Sequence, residues 1–302
     1  YASLIDGYAS KKYTDETTIP FIYELDSKAE VEDPKNWIKA NPNLGISKSM
    51  EQLQTEYNRA TLNERTLRDL LVKQFNFRES AKMSFFSLDD VTNKETFDMN
   101  SFSGSYYFGG VDLSETTDLT CATAIIPHNN KLYVHQMYWI PQDTLADHIA
   151  KDNVPYDIWI KNGYLRTCQG NVIDQKDVAN WFQEIQDAYG IYVYKIGYDA
   201  YNAQYLTKDL ETMFGASMTQ KVSQSFKGLS SQMDLSRAYF KEKRIIYNYN
   251  PVFLWCLLNT EAVTDTQGNI KPYKNRNLHK RIDGYSAFLD AFCVYLDNKE
   301  NF

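Results

Sequence analysis

Three aspartates stand at the ends of apolar segments, where a carboxylate needs a partner. Asp112 closes the run Tyr106-Tyr107-Phe108-Gly109-Gly110-Val111, which has the aromatic and β-branched composition of a buried strand. An acid in that setting must be paired or bind a cation. A divalent ion such as Mg²⁺ suits its hard oxygen donors. Asp199 follows a second strand-like run, Tyr192 to Tyr198, and Asp283 opens the last helical segment in Arg281-Ile282-Asp283-Gly284. Strand ends of one sheet and a helix start packed on that sheet can converge although they are distant in sequence. Carboxylates gathered in this way could hold two Mg²⁺ or Mn²⁺ ions roughly 4 Å apart, clamping the attacking water and the leaving oxygen of a phosphodiester. Taken singly, each acid also has a plainer reading: Asp112 as the start of a turn, Asp199 as an Asx-type turn or helix cap, Asp283 as an N-cap.

Two further acids lie nearby. Asp118 precedes the second strand and could support the ligands from behind. Asp290 lies seven positions after Asp283 and shares its helix face, as an extra ligand or, the preferred reading, as an ordinary polar residue beside the cleft. Cations cluster in Lys271, Lys274, Arg276, Lys280 and Arg281 with His279, and again in Lys221, Lys227, Arg237, Lys241, Lys243 and Arg244. Such residues flanking an acidic cleft would hold a DNA backbone, and Lys274, Lys280 and Arg281 approach Asp283 in sequence. The alternative is a solvated charged surface.

Other chemistries find little material. The chain has no G-x-x-x-x-G-K-[ST], no G-x-S-x-G and no H-E-x-x-H. Its four cysteines form no C-x-x-C pair, which fits reduced thiols and argues against zinc. The net charge of −7 does not by itself indicate a nucleic-acid binder, but a local basic stripe counts for more than the total. No run of eighteen apolar residues and no secretory signal is present. The chain begins with Tyr rather than Met, which points to a fragment of a longer protein.

The elements that must carry the acids follow from periodicity. With 302 residues and 43% apolar content, the chain can form one large or two moderate domains. A short helix over Ala2 to Tyr13 and a strand over Ile19 to Leu25 are expected, then turns, then a helical region from Ser49 to Phe75. From Tyr106 the pattern changes to strands. Leu119 to Ile126 and Lys131 to Ile140 complete a three-stranded antiparallel meander. Helices are expected after Asp143, after Asp174 up to Gly190, and over Ala203 to Phe214. The fourth strand, Tyr192 to Tyr198, lies between the last two. A strand near Met218 to Val222, a helix over Ser231 to Lys241, a strand over Ile245 to Tyr247 and a helix over Pro251 to Leu258 come next. A hairpin turn at Thr266 to Asn269 precedes the final helix. Three antiparallel strands, a helix, then a strand opening βα alternation is the ribonuclease H-like order of an α/β fold with flanking helices. Residues 1–100 form a small, mostly helical linker region, and 101–302 the sheet domain.

Several segments also carry a family resemblance. Gly110-Val-Asp-Leu-Ser-Glu-Thr-Thr-Asp-Leu-Thr120, Val154 to Ile160 with Gly163, and Gly197-Tyr-Asp-Ala-Tyr-Asn202 are similar to the large terminase subunit of tailed phages and prophages. So are Asn250 to Trp255, Gly268 to Pro272 and Ile282-Asp283-Gly284, and upstream Asn36 to Gly45 fits the stretch after that family's motor domain. The resemblance implies the tail of an ATPase domain, within residues 1–100, followed by the ribonuclease H-like nuclease. It carries the metal acids over to Asp112, Asp199 and Asp283. It further implies a Mg²⁺- or Mn²⁺-dependent endonuclease that cuts concatemeric double-stranded DNA during packaging in the host cytoplasm, with the portal protein and the small terminase subunit as partners. The ATPase motifs are absent, so ATP-driven translocation is not expected of this chain. Two alternatives stand beside it: a transposase, integrase or junction resolvase on the same fold, and a non-catalytic docking module for portal or small subunit.

Overall fold

A computed structural model of the chain describes residues 21–62, 64–77, 84–113, 119–152, 154–200, 203–273 and 280–301. They divide into two units, Tyr1–Ala81 and Lys82–Phe302. The helix expected over Ala2 to Tyr13 lies outside the described residues. Residues 21–25 are not the expected strand: among the described residues no partner strand lies beside them, and a lone strand cannot satisfy its backbone. The first unit instead holds short 3₁₀ turns over Lys28–Glu32 and Pro34–Lys39 and two helices, α1 (Met50–Ala60) and α2 (Glu64–Phe75). Its core forms around Trp37, with Leu53, Leu71 and Phe75.

The second unit starts before the strands, with a short helix α3 (Leu88–Val91). Strands β1 (Tyr106–Asp112), β2 (Thr120–His128) and β3 (Lys131–Pro141) pair antiparallel, as the alternation predicts. Helices α4 (Leu145–Asp152) and α5 (Tyr156–Lys161) lead to a short β4 (Leu165–Cys168), which pairs parallel with β3. Helix α6 (Gln175–Tyr189) is capped by Asp174 and stopped by Gly190 in the left-handed conformation. Then β5 (Tyr192–Tyr198) lies parallel to β1. Helix α7 (Gln204–Phe214), β6 (Thr219–Lys221), helix α8 (Phe226–Lys241), β7 (Ile245–Ile246) and helix α9 (Pro251–Asn259) follow. A hairpin of β8 (Glu261–Thr264) and β9 (Ile270–Tyr273) precedes the last helix, α10 (Asp283–Asn298). Helix α8 starts five residues before the expected Ser231, because the Ser225 hydroxyl accepts the Gly228 amide and caps it there.

The main sheet has seven strands in the order β4-β3-β2-β1-β5-β6, with β7 added to β3. Alternation along β1 divides its side chains between two cores. Tyr107 and Val111 join Phe182, Ile185 and Ile196 on one face, whereas Phe108 joins Phe288 and Phe292 of α10 on the other. Gly110 and Asp112 share the Phe108 face by the two-residue period of a strand. No helix among the described residues is long and apolar enough to cross a membrane.

Candidate active site

The placement of α10 decides which ends of the sheet its first residue approaches. A Cβ on Gly110 would lie 2.2 Å from the Ala287 carbonyl oxygen and 2.3 Å from the Ala291 nitrogen. A Cβ on Gly197 of β5 would lie 2.6 Å from the Asp290 carbonyl oxygen. The backbone of α10 therefore rests directly on β1 and β5, and only glycine permits this approach. The Phe108 ring lies 5.5 Å from that of Tyr295, so α10 runs opposite to β1. Its first residue, Asp283, thus comes to the C-terminal ends of the strands.

Those ends carry the other two acids. The parallel register pairs Gly110 with Gly197 and Val111 with Tyr198, and the next positions are Asp112 and Asp199. Neighbouring strands lie about 4.8 Å apart. Alternation turns both toward the α10 face. Asp112 also lies opposite Cys121, and Cys121 opposite Tyr138. Tyr138 reaches up from that row to α10: a Cβ on Gly284 would sit 2.2 Å from its hydroxyl oxygen. Beside it the Gln136 amide donates to the Gly284 carbonyl at 2.9 Å and to the Thr123 hydroxyl at 2.8 Å, while the Tyr138 hydroxyl donates to Gln136 Oε1 at 2.6 Å. The Asp-Gly pair at the helix start is thereby seated on β2 and β3.

Asp283 is buried at 3% exposure, and the helix N-terminus favours its negative charge. Its charge adds to the burial that pushes the Tyr138 and Tyr156 hydroxyls up, and the Asp112 charge does the same for the buried Cys121 thiol. Asp290 is a fourth acid on this face. It is 4% exposed and accepts a 2.8 Å hydrogen bond from Gln224. Burial raises its carboxyl to about 8, and the Asp199 charge adds to this, while the Gln224 hydrogen bond works the other way.

The donor set is all carboxylate oxygen, which suits Mg²⁺ or Mn²⁺ rather than zinc. Among the described residues no three His, Cys, Asp or Glu side chains are already gathered closely enough to hold an ion. The donors have the right chemistry and the right elements, without a closed cage.

Of the basic residues expected at the cleft, Lys274 lies outside the described residues, as does Asp118. Lys280 is partly exposed and pairs with the buried Glu261 at 2.9 Å. Arg281 corrects the expectation of a surface cation. It is only 4% exposed, and its guanidinium donates to Asp152 at 3.2 Å and lies 3.0 Å from His148 Nδ1. Nothing in its position along the chain marks that inward turn. Gln136 and Gln224 also escaped the sequence reading, although Gln136 left a trace as a polar residue on the apolar face of an alternating strand.

The family model described as "Terminase large subunit, endonuclease domain" matches residues 12–299. The chain is 26% identical over 280 residues to the terminase large subunit of Enterobacteria phage HK97, covering 91% of this chain and 54% of that protein. It is 25% identical over 285 residues to protein YmfN of Escherichia coli (strain K12), covering 89% of this chain and 61% of that one. It therefore spans little more than half the length of these relatives. The crystal structure of the HK97 bacteriophage large terminase shares the fold, with a TM-score of 0.62 at 24% identity over 96% of this chain and 59% of that one. Because the family model matches residues 12–299 of the 302, the chain belongs to the terminase large subunit endonuclease domain family.

Proposed function

We propose that the chain is a divalent-metal-dependent DNA endonuclease that hydrolyses phosphodiesters of concatemeric double-stranded viral DNA, with two ions as the working set. One observation carries this reading: Asp112 ends β1, Asp199 is the first residue past the adjacent parallel β5, and the helix resting on both strands begins with Asp283. These three carboxylates would hold the ions. Bound Mg²⁺ or Mn²⁺ supplies charge neutralisation and a more acidic water. The chain's own residues fix where that happens. Gly110 and Gly197 let α10 down onto the sheet, and Gln136 and Tyr138 hold its start. Lys280, and Lys274 six positions before it, are the cations proposed to meet the DNA backbone. As part of a packaging terminase the chain would work in the host cytoplasm with the portal protein and the small subunit.

The test is plasmid cleavage by the full chain in Mn²⁺ or Mg²⁺. Cleavage should vanish with EDTA and fall by at least about a hundredfold in Asp112→Ala or Asp199→Ala. Undiminished cutting by either variant would remove that acid from the site. A folded chain that never cuts, and binds no Mn²⁺, would leave the docking module as the better reading.

A further inference from the structure

A second set of buried charges lies just before Asp283. His148 and Asp152 stand one turn apart on α4, and Tyr156 begins α5. The Tyr156 hydroxyl donates to Asp152 Oδ2 at 2.6 Å, and Arg281 Nε donates to the same oxygen at 3.2 Å. Arg281 places a second nitrogen 3.0 Å from His148 Nδ1. A guanidinium can only donate, so it is the donor in that contact, and the same Nδ1 lies 3.5 Å from Asp152 Oδ2. His148, Asp152, Tyr156 and Arg281 are all at least nine-tenths buried. For stability alone, an apolar set of similar volume would serve as well or better.

The location gives the group a purpose. Helix α10 starts at Asp283, and Ile282 before it supplies no side-chain cap. The start is held from outside the helix instead. The Asn259 amide donates to the Arg281 carbonyl at 3.3 Å, Lys280 reaches Glu261, and the Arg281 fork spans to α4. One residue, Ile282, separates that fork from the carboxylate it would steer.

We propose that Arg281 is a positioning residue for Asp283: by bridging the turn before α10 to Asp152 and His148 on α4, it sets where the Asp283 carboxylate stands and hence the affinity for a divalent ion. The inference rests on the proposed metal site and deepens it. It is tested by calorimetric titration of the full chain with Mn²⁺, without DNA, alongside thermal melting. Arg281→Gln should weaken Mn²⁺ binding by about tenfold or more, the scale on which residues behind metal ligands act. Arg281→Lys keeps the charge but lacks the planar, rigid fork that fixes the geometry toward Asp152 and His148, so it should stay weakened. Full recovery in Arg281→Lys would mean that charge, not position, matters, and would overturn the proposal. Unchanged Mn²⁺ binding in a folded Arg281→Gln would overturn it too. Should that variant fail to fold, Tyr156→Phe decides: weaker Mn²⁺ binding at an unaltered melting temperature supports the bridge, and unaltered binding ends it. Asp283→Asn separates the two levels. If it loses Mn²⁺ while Arg281→Gln does not, only this inference fails; if it binds Mn²⁺ like the parent, the site itself is misassigned.

Discussion

Gly109 and Gly110 are neighbours in β1, yet a methyl group at each would meet different things. At Gly109 it would run into the Ile196 and Phe182 side chains at 2.8 and 2.9 Å, and side chains can turn aside. At Gly110 it would run into the backbone of α10, which cannot. Gly110→Ala should therefore cost about 1–3 kcal/mol or more and should abolish Mn²⁺-dependent cleavage by lifting Asp283 off the sheet. Gly109→Ala should cost less. Urea unfolding of both variants reads the order, and equal costs would mean that α10 does not rest on β1. Asp290 makes a second residue-level prediction. Its buried carboxyl holds a proton up to about pH 8 in the folded chain, against an ordinary value of 3.8. Between those values the folded state binds more protons, so stability falls as pH rises, by at most about 1.4 kcal/mol per pH unit. Asp290→Asn removes that loss. In EDTA it should be more stable than the parent at pH 8 and lose the advantage toward pH 4; a difference that ignores pH would contradict the assignment. That Asp112 ends a strand, that Asp199 follows one and that Asp283 opens a helix was legible in the sequence, because each acid closes or opens an apolar run. Arg281 was not, because proximity in sequence to Asp283 says nothing about whether a long side chain turns to solvent or to a buried Asp152.

At the scale of elements, clear local signals were readable and weak ones were not. Helix α6 has both ends written into it: the Asp174 side chain accepts the Lys176 amide at 2.9 Å, and Gly190 takes a φ of 66°. Between them Val178, Trp181, Phe182 and Ile185 repeat at helical spacing and are buried. Asp174→Ala should cost about 0.5–2 kcal/mol, seen as a lower urea midpoint without loss of cleavage, since α6 covers the face away from the acids. A loss of cleavage out of proportion to the stability change would tie α6 to the site. By contrast, β4 is four residues long, with only Leu165 and Cys168 buried. So short a run has no period of its own, and parallel pairing with β3 makes it a strand. Residues 21–25 show the converse: an apolar run with β-forming residues stays irregular when, among the described residues, no strand lies beside it. The proposed bridge from Arg281 to α4 depends on such contacts between elements, which is why neither helix announces it alone.

For the whole molecule, the informative stretch is 84–102, nearly all of which the sequence assigns to the linker region, yet which belongs to the sheet unit. Phe85, Phe86 and Val91 are buried in the core beneath α10, and Met99 and Phe102 in the core on the opposite face. The Phe85 amide donates to the Thr260 carbonyl at 2.6 Å, and the Tyr247 hydroxyl to the Val91 carbonyl at 2.7 Å. The second unit accordingly begins at Lys82 rather than at residue 101. The strand pattern suggests the later boundary because apolar residues scattered over a four-residue helix, a 3₁₀ turn and irregular chain have no period to detect. Burial of five such side chains contributes roughly 8–15 kcal/mol, comparable with the entire net stability of an ordinary domain. A fragment of residues 82–302 should therefore unfold in one cooperative transition and retain Mn²⁺ binding, because every acid of the proposed site lies within it. A fragment of residues 103–302 should lose both, although it keeps all seven strands of the main sheet and all the acids. If the shorter fragment folds and binds Mn²⁺ as well as the longer one, residues 84–102 are a covering rather than part of the core. The boundary would then return to the place where the strands begin.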